Sequence, residues 1–246
     1  MNLLIDIGNT RVKWAIQELD KLDTFAAIAH HQDDFSATLI SAWRLLAMPD
    51  CIYIACVGSI EIKQLLINII RLVWSNCPIQ EIHSEKFSCG VSNGYLNPEK
   101  LGVDRWLAML GAYEHYSAPL CIVDFGTAIT LDVIDEHGWH LGGLIMPGLT
   151  LLKQSLNKGT ADLSYCTEPH EQGLANSTQA AIYSGSLYAI KGFIEAGLMQ
   201  CAQTTQLILT GGDALFLADI LKLEAVVDTE LVFKGIALLS SEKSPL

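Results

Sequence analysis

The sequence predicts an α/β fold of two similar lobes, with the active site in the cleft between them. The main observation is an approximate internal repeat, in which residues 3–10 and 12–16 correspond to residues 121–127 and 128–134. Each copy consists of an apolar strand, a turn with an Asp-x-Gly triplet, and a second strand of partly alternating polarity. Two lobes built on the same hairpin would each present one such turn.

Chain length and composition agree with two lobes that share one cleft. The 246 residues are more than one average domain needs and few for two independent domains. Half of the residues are hydrophobic, and the mean hydropathy of +0.32 indicates a sizeable buried core. We place the boundary near Ser117, so that the N-terminal lobe comprises residues 1–117 and the C-terminal lobe residues 118–246.

Other segments supply the remaining predicted elements. Strands are expected at residues 52–57 and 207–210, and helices at 60–74, 101–116, 177–202 and 214–222. Ser59 is in position to cap the helix that starts at residue 60. Three glycines, Gly185, Gly192 and Gly197, lower the helix propensity of residues 177–202. They indicate either close helix packing or a break in this helix.

The charge distribution argues against several classes of protein. The formal net charge is −12 and the sequence pI is about 4.9, the wrong sign for affinity that comes from neutralising nucleic-acid phosphates. No apolar run approaches the roughly 18 residues that a membrane span requires. The first six residues lack a basic region and include Asp6, unlike a secretory signal peptide. We therefore expect a cytoplasmic protein that binds neither membranes nor nucleic acid.

The cysteines and histidines favour neither disulfides nor a metal site. The cysteines are odd in number, widely spread and without a C-x-x-C pair, so we expect reduced, mostly buried thiols. They are Cys51, Cys56, Cys77, Cys89, Cys121, Cys166 and Cys201. His30-His31 is followed by Asp33-Asp34, but adjacent side chains point apart, and the stretch is typical of a solvated loop.

The turn at residues 6–10 is suited to binding phosphate. Gly8 lets the backbone approach an anion closely, neighbouring N–H groups and the Thr10 hydroxyl can donate to phosphate oxygens, and Asp6 can hold hydrated magnesium. Lys13 adds a positive charge. Taken alone, the pattern is also that of an ordinary hairpin turn, which is the more frequent case.

A second turn of the same kind strengthens the phosphate-binding interpretation. Residues 124–127 repeat the Asp-x-Gly pattern, and a phosphate site between two lobes needs two such turns. A third glycine turn, at residues 211–213, follows a strand and can form a backbone wall for an adenine or a ribose. The sequence contains no G-x-x-x-x-G-K-[ST] motif, which excludes a P-loop.

Together, four segments resemble the type III pantothenate kinase family: residues 6–13, 102–105, 124–130 and 142–148. The similarity extends over nearly the whole chain, and the joint pattern is far more specific than any of its parts. It implies the duplicated, ribonuclease H-like fold of the acetate and sugar kinase, Hsp70 and actin-like ATPase superfamily. The implied reaction is ATP-dependent phosphorylation of pantothenate to 4'-phosphopantothenate, the first step of coenzyme A biosynthesis.

The resemblance also implies the roles of individual residues and the partners. The positions that match ATP-binding residues are Asp6, Ile7, Gly8, Asn9, Thr10, Arg11, Val12, Lys13 and Thr127. The positions that match pantothenate-binding residues are Tyr95, Gly102, Val103, Asp104, Arg105 and Thr178. Asp104 matches the proposed general base, and Asp124 matches a ligand of a monovalent cation, potassium or ammonium. ATP with Mg²⁺ and a homodimer are implied as well.

Each of these residues also has a purely structural interpretation. Asp104 and Arg105 could form a surface ion pair at a helix start, worth at most about 1 kcal/mol. Tyr95 could be a loop aromatic, Asp124 could cap its own turn, and the glycines within residues 142–148 could form plain turns. Two functional alternatives stay open: a kinase of the same fold that acts on another small hydroxylated substrate, and a noncatalytic transcriptional accessory protein of the same family.

Overall fold

The computed structural model describes residues 1–19, 21–159, 169–202 and 204–242. Its strands are β1 Asn2–Ile7, β2 Arg11–Glu18, β3 Lys21–Ala29, β4 Cys51–Cys56, β5 Ile79–Glu81, β6 Phe87–Ser88, β7 Val91–Ser92, β8 Leu120–Phe125, β9 Ala128–Ile134, β10 His140–Pro147, β11 Gln206–Thr210 and β12 Val226–Val227. Its helices are α1 Phe35–Trp43, α2 Ile60–Val73, α3 Val103–His115, α4 Leu149–Gly159, α5 Thr178–Leu198, α6 Ala214–Leu221 and α7 Leu231–Glu242, with a 3₁₀ turn at Pro98–Lys100.

The chain divides into two compact units. The first comprises Met1–His115 and Glu230–Leu246, and the second comprises Tyr116–Thr229. The sequence-based division assigned all residues after 117 to the second lobe, and the structure differs from it in the C-terminal segment. This segment returns to the first unit because α7 packs closely against α3. Added Cβ atoms on Gly111 and Gly235 would overlap backbone atoms of Leu231 and Leu107, so both glycines are needed for this approach.

The two units contain five-stranded sheets of the same design. In the first unit the strand order is β3-β2-β1-β4-β5, and in the second it is β10-β9-β8-β11-β12. On one side of the central strand, successive neighbours pair antiparallel: β1 with β2 and β2 with β3, and likewise β8 with β9 and β9 with β10. On the other side all pairs are parallel: β1 with β4 and β4 with β5, and likewise β8 with β11 and β11 with β12. The equal order and polarity confirm the predicted duplication of an α/β unit.

The core of the first unit lies between its sheet and the helices α1 and α2. Trp43 is central, because its ring meets Trp14 edge-on at 6.0 Å and stacks on Trp74 at 5.9 Å. Helix α2 buries Ile62, Leu66, Ile69 and Ile70 on one face. Ser59 caps α2 as predicted, since its Oγ accepts a hydrogen bond from the Ile62 N–H at 3.3 Å.

The core of the second unit lies between the sheet and α5. The residues of α5 that face it are Ile182, Tyr183, Leu187, Ile190 and Ile194. Helix α5 is continuous, which decides against the break considered above. Of its three glycines, Gly197 supports close packing, because an added Cβ would overlap the Leu131 side chain, while Gly185 and Gly192 have open space beside them.

Several local predictions are confirmed, and one is wrong. The expected strands at 52–57 and 207–210 correspond to β4 and β11, and the four expected helices correspond to α2, α3, α5 and α6. The interpretation of Gly142-Gly143 as a turn is wrong, since both residues lie in β10 and pair with Val133 and Asp132 of β9. Among the described helices, none has the length and apolar character needed to cross a membrane.

Candidate active site

Asp6 lies near the end of the central strand of the first sheet. It is opposite Lys13 of β2, and the Lys13 Nζ is 3.9 Å from the Asp6 Oδ2. Only 6% of Asp6 is exposed. Burial raises the pKa of its carboxyl group to about 6, although the Lys13 ammonium lowers it, and the charge of Asp104 adds to the rise. A further cation nearby would therefore stabilise the ionised carboxylate of Asp6.

The β1–β2 turn presents polar groups to solvent directly beside Asp6. The Gly8 N–H donates to the Arg11 carbonyl at 3.0 Å, which closes the turn. Its exposed residues are Asn9, Thr10 and Arg11, and the buried residues that flank it are Ile7 and Val12. Such an exposed turn with a hydroxyl and cationic side chains can donate hydrogen bonds to an anion. Phosphate binding by residues 6–13 stays a prediction.

The loop between β4 and α2 packs against the β1–β2 turn. The N–H groups of Val57 and Gly58 both donate to the Ile7 carbonyl at 3.0 Å. A Cβ on Gly58 would lie 2.8 Å from the Gly8 oxygen, closer than side chains tolerate. Glycine at position 58 therefore lets the two turns pack closely and helps to fix the β1–β2 turn.

Asp104 lies in the first turn of α3. Its Oδ1 accepts a hydrogen bond from the Arg105 N–H at 2.8 Å. A Cβ on Gly102 would lie 2.7 Å from this same oxygen, so the glycine makes room for the carboxylate. The negative charge is favourable at the positive N-terminal end of a helix. The structure thus gives a physical reason for the Gly-x-Asp spacing that the sequence shows.

Arg105 points into the protein and is only 5% exposed. Its Nη1 donates to the Tyr95 hydroxyl at 2.6 Å, and its Cζ lies 5.5 Å from the centre of the Tyr95 ring. A buried guanidinium needs such partners, because an unpaired buried charge is costly. Two predicted acceptor-site residues that are ten positions apart are therefore in direct contact.

In the second unit, Asp124 is the last but one residue of the central strand, as Asp6 is in the first. It is half-buried and pairs with Thr130 of β9 and Thr210 of β11. Gly211 has a φ of +97°, and an added Cβ there would overlap the Asp124 Oδ1 and the Phe125 carbonyl. The carboxylate thus lies in a cradle of glycine backbone, which a side chain at position 211 would fill.

The turn after Asp124 is exposed and closely packed by backbone. Thr127 is exposed, and its carbonyl accepts a hydrogen bond from the Gly148 N–H at 2.9 Å. A Cβ on Gly148 would overlap the carbonyl groups of Gly126 and Thr127. Gly148 therefore has a packing role at the start of α4, whereas the sequence interpretation considered it only as a turn glycine without a catalytic role.

Comparison with known proteins decides the family. A family model described as type III pantothenate kinase matches residues 2–200. A protein of Nitrosococcus oceani named type III pantothenate kinase is 33% identical over 254 residues, which cover 99% of this chain and 95% of the relative. The chain belongs to the type III pantothenate kinase family. The family predicted from the four sequence segments is thereby confirmed.

Solved structures support the fold of this family member. A Sinorhizobium meliloti protein designated a 2-dehydro-3-deoxygalactonokinase has a TM-score of 0.63 at 14% identity, covering 100% of this chain and 98% of its own. A Campylobacter jejuni protein designated a Baf-family transcriptional activator has a TM-score of 0.60 at 23% identity, with 98% of each chain covered. At these identities the likeness shows the fold alone, and it confirms the ribonuclease H-like architecture of the sugar kinases.

Thr178 is the predicted site residue with the least structural support in this family member. It is the first residue of α5, exposed, and follows Ser177, whose Oγ accepts a hydrogen bond from the Ala180 N–H at 3.4 Å. Its assignment to pantothenate binding stays a prediction.

The metal and thiol chemistry of the described residues is limited. Within those residues, no group of three or more His, Cys, Asp or Glu side chains could hold a metal ion. The free cysteines are Cys51, Cys56, Cys77, Cys89, Cys121 and Cys201. Only Cys77 and Cys121 are fully buried, fewer than expected, and Cys166 lies outside the described residues.

Sequence reasoning missed three residues that shape the site. Gly58 and Gly148 carry a weak signal, because each follows the end of a strand, but glycine at such a place usually marks only a turn. Asn93 carries no signal of its own. Its Oδ1 accepts from the Tyr95 N–H at 3.0 Å, and it thereby holds a predicted pantothenate-binding residue.

Proposed function

We propose that this chain transfers the γ-phosphoryl group of ATP to the primary hydroxyl of pantothenate, giving ADP and 4'-phosphopantothenate. The reaction begins coenzyme A biosynthesis. Membership of the type III pantothenate kinase family carries this proposal. The first unit supports it with three features: an exposed glycine turn suited to phosphate, the carboxylate of Asp6 whose pKa the charge of Asp104 raises, and a half-buried Tyr95 that is hydrogen-bonded to the buried Arg105.

The nucleotide is bound by the two Asp-x-Gly turns in this proposal. Residues 6–13 and Thr127 donate backbone and hydroxyl hydrogen bonds to its phosphates. Magnesium, which ATP brings, would be held by Asp6 together with the phosphates, and it neutralises charge on the transferred group. The raised pKa of Asp6 fits this role, since burial leaves the carboxylate short of positive charge in the free protein.

The acceptor is bound by Tyr95 and residues 102–105. The Arg105 guanidinium is suited to bind the carboxylate of pantothenate through two parallel hydrogen bonds. Asp104 accepts the proton of the primary hydroxyl as that oxygen bonds to the γ-phosphorus, while the bond from phosphorus to the β,γ-bridging oxygen breaks and ADP leaves. Because the transition state of phosphoryl transfer is loose, positioning and charge stabilisation contribute most of the rate.

A monovalent cation, potassium or ammonium, is proposed at Asp124. The glycine cradle around its carboxylate supports this proposal, since a side chain at position 211 would fill the space beside Oδ1. Such a cation reduces the repulsion between a carboxylate and a triphosphate. The carboxylate of Asp124 and the space that Gly211 leaves beside it are therefore suited to a monovalent cation.

A homodimer is proposed as the working form. One face of α5 presents small, exposed residues at intervals of four and three positions: Gly185, Ala189, Gly192 and Ala196. Added Cβ atoms on Gly185 and Gly192 would meet no atom of this chain within 4 Å. Small residues at this spacing allow a second helix to approach closely, as two copies of α5 would.

A cytoplasmic location follows from the need for ATP and also stays a prediction.

The test is an ADP-release assay of purified protein with Mg²⁺ and potassium, using a panel of acceptors. We expect ADP formation with pantothenate and little with sugars or without an acceptor. Release with a sugar in place of pantothenate would assign the chain to another small substrate. No release with any acceptor would favour the noncatalytic alternative, although the net charge of −12 argues against direct DNA contact.

A further inference from the structure

Asn93 is a buried polar residue whose side chain joins three separate points of the backbone. It is 7% exposed. Its Nδ2 donates to the carbonyl oxygens of Glu85 and Pro98, both at 3.1 Å, and its Oδ1 accepts from the Tyr95 N–H at 3.0 Å. One carbonyl–amide orientation satisfies all three bonds, since two partners are acceptors and one is a donor.

Tyr95 lies in a short connecting segment between the β6–β7 hairpin and the 3₁₀ turn at Pro98–Lys100. Gly94, Leu96 and Asn97 are exposed, and Leu96 is fully so. Residues 93–97 belong to no helix or strand, and backbone hydrogen bonds hold only their two ends: the Asn93 N–H donates to the Lys86 carbonyl, and the Asn97 carbonyl accepts from the Lys100 N–H, both at 2.9 Å. Tyr95 is half-buried between exposed neighbours, and its N–H donates to the Asn93 Oδ1. This hydrogen bond helps to fix the backbone that directs the Tyr95 side chain.

Tyr95 in turn contacts Arg105 through both its hydroxyl and its ring. A chain of contacts thus runs from the backbone at Glu85 and Pro98, through Asn93 and Tyr95, to Arg105. A guanidinium that binds a carboxylate through two parallel hydrogen bonds must be held in one orientation. Displacement of Tyr95 would remove one partner of Arg105 and alter the orientation of its guanidinium.

We propose that Asn93 is a positioning residue for the acceptor site, which fixes Tyr95, and through Tyr95 the guanidinium of Arg105, in the orientation that binds pantothenate. This inference rests on the proposed function. It goes beyond it by assigning acceptor affinity to a residue that does not touch the substrate. A merely structural Asn93 would lower stability without a selective effect on one substrate.

The test compares Asn93→Ala, Asn93→Ser and the wild type in steady-state kinetics, with pantothenate affinity measured independently by calorimetry. We expect Asn93→Ala to raise the KM and the dissociation constant for pantothenate about tenfold or more, with the KM for ATP changed less than about twofold. Asn93→Ser keeps an oxygen that can accept from the Tyr95 N–H, so its effect should be smaller. If Asn93→Ala does not fold, the Ser variant carries the same comparison.

The control is Ser240→Ala, which removes another buried hydrogen bond of the same unit, from the Ser240 Oγ to the Gln17 Oε1 at 2.7 Å. It should lower the melting temperature and leave both KM values unchanged. A double-mutant cycle with Tyr95→Ala then tests the route of the effect. If Asn93 acts through Tyr95, Asn93→Ala adds almost nothing to the pantothenate KM of Tyr95→Ala.

The outcomes separate the inference from the proposed function. Pantothenate phosphorylation by the wild type decides the function. Given that activity, an unchanged pantothenate KM in a folded Asn93→Ala protein overturns the positioning role. Equal increases in both KM values, or full additivity with Tyr95→Ala, would also overturn it and leave Asn93 a structural residue.

Discussion

Lys13 lies directly opposite Asp6 in the β1–β2 hairpin, with its ammonium nitrogen 3.9 Å from the carboxylate. This pairing does not offset the burial of Asp6, whose pKa is raised to about 6 mainly by desolvation. The ionised carboxylate is thus destabilising in the free protein. A cost of this kind is common where a group is kept for function, and here it fits a site that is completed by magnesium and phosphate.

Asp6→Asn should make the protein more stable at neutral pH while it abolishes productive ATP binding. The folded pKa of Asp6 exceeds the unfolded value of 3.8, so its contribution to stability is fully present below about pH 4 and is lost as the pH rises through about 6. At pH 7.5 we expect the free energy of unfolding of Asp6→Asn to exceed that of the wild type by an amount on the order of 1–3 kcal/mol. The measurement is urea unfolding of both proteins at several pH values.

Two results check this prediction. The difference between the proteins should shrink as the pH falls from 7.5 towards 4.5. Lys13→Met removes the charge that lowers the pKa of Asp6. The free energy of unfolding of this variant at neutral pH should therefore be lower than that of the wild type. A wild type that is more stable than Asp6→Asn at pH 7.5 would contradict the assignment of burial as the dominant cause.

Asp104→Asn should lower kcat by about 10²- to 10⁴-fold and change ATP binding little, because it keeps the shape of the side chain and removes its basicity. The measurement combines steady-state kinetics with nucleotide titration. Glu99→Gln, an exposed acid in the neighbouring 3₁₀ turn, is the matched control and should retain wild-type activity. A folded Asp104→Asn protein with wild-type kcat would refute both the base and the positioning role of Asp104.

Activity should depend on potassium or ammonium, and sodium should substitute poorly. Asp124→Asn weakens the attraction for the cation and should therefore flatten the response of the rate to potassium. Asp219→Asn, which changes an exposed acid on α6 of the same unit, should leave that response intact. Equal rates in potassium, sodium and a large organic cation would rule out a specific cation role.

The wild type should sediment at about twice the 26.9 kDa of one chain. Gly192→Trp should shift it to the monomer, since position 192 has space within its own chain and a partner helix would need that space. Gln64→Trp, on the exposed face of α2, should not change the mass. A wild type that remains monomeric at micromolar concentration would defeat the proposal.

Local patterns explain why much of the fold could be predicted. The two hairpins, β4, β11 and four helices carry apolar periodicities of two or about 3.6 residues, which are properties of short segments. The strands β5, β6, β7 and β12 have only two or three residues each and exist because tertiary neighbours pair with them. Gly142-Gly143 predicted a turn, but pairing with β9 outweighs the low strand propensity of glycine.

Parts of the site could not be predicted for a related reason. The Asp-x-Gly turns and residues 102–105 are visible in sequence because each is a continuous motif. The role of Asn93 arises from partners at positions 85, 95 and 98, and the clearance provided by Gly211 depends on Asp124, 87 positions earlier. Such relationships are created by folding, since no short segment contains both partners.

The most direct test of the central claim follows the phosphoryl group itself. ATP carrying an isotopic label in its γ-phosphoryl group is incubated with the protein, Mg²⁺, potassium and pantothenate, and the products are separated and identified by mass. We expect the label to appear in 4'-phosphopantothenate in equal amount to the ADP formed, and Asp104→Asn to slow this transfer at least about a hundredfold. Label found only in inorganic phosphate, or transfer to pantothenate at the wild-type rate in Asp104→Asn, would contradict it.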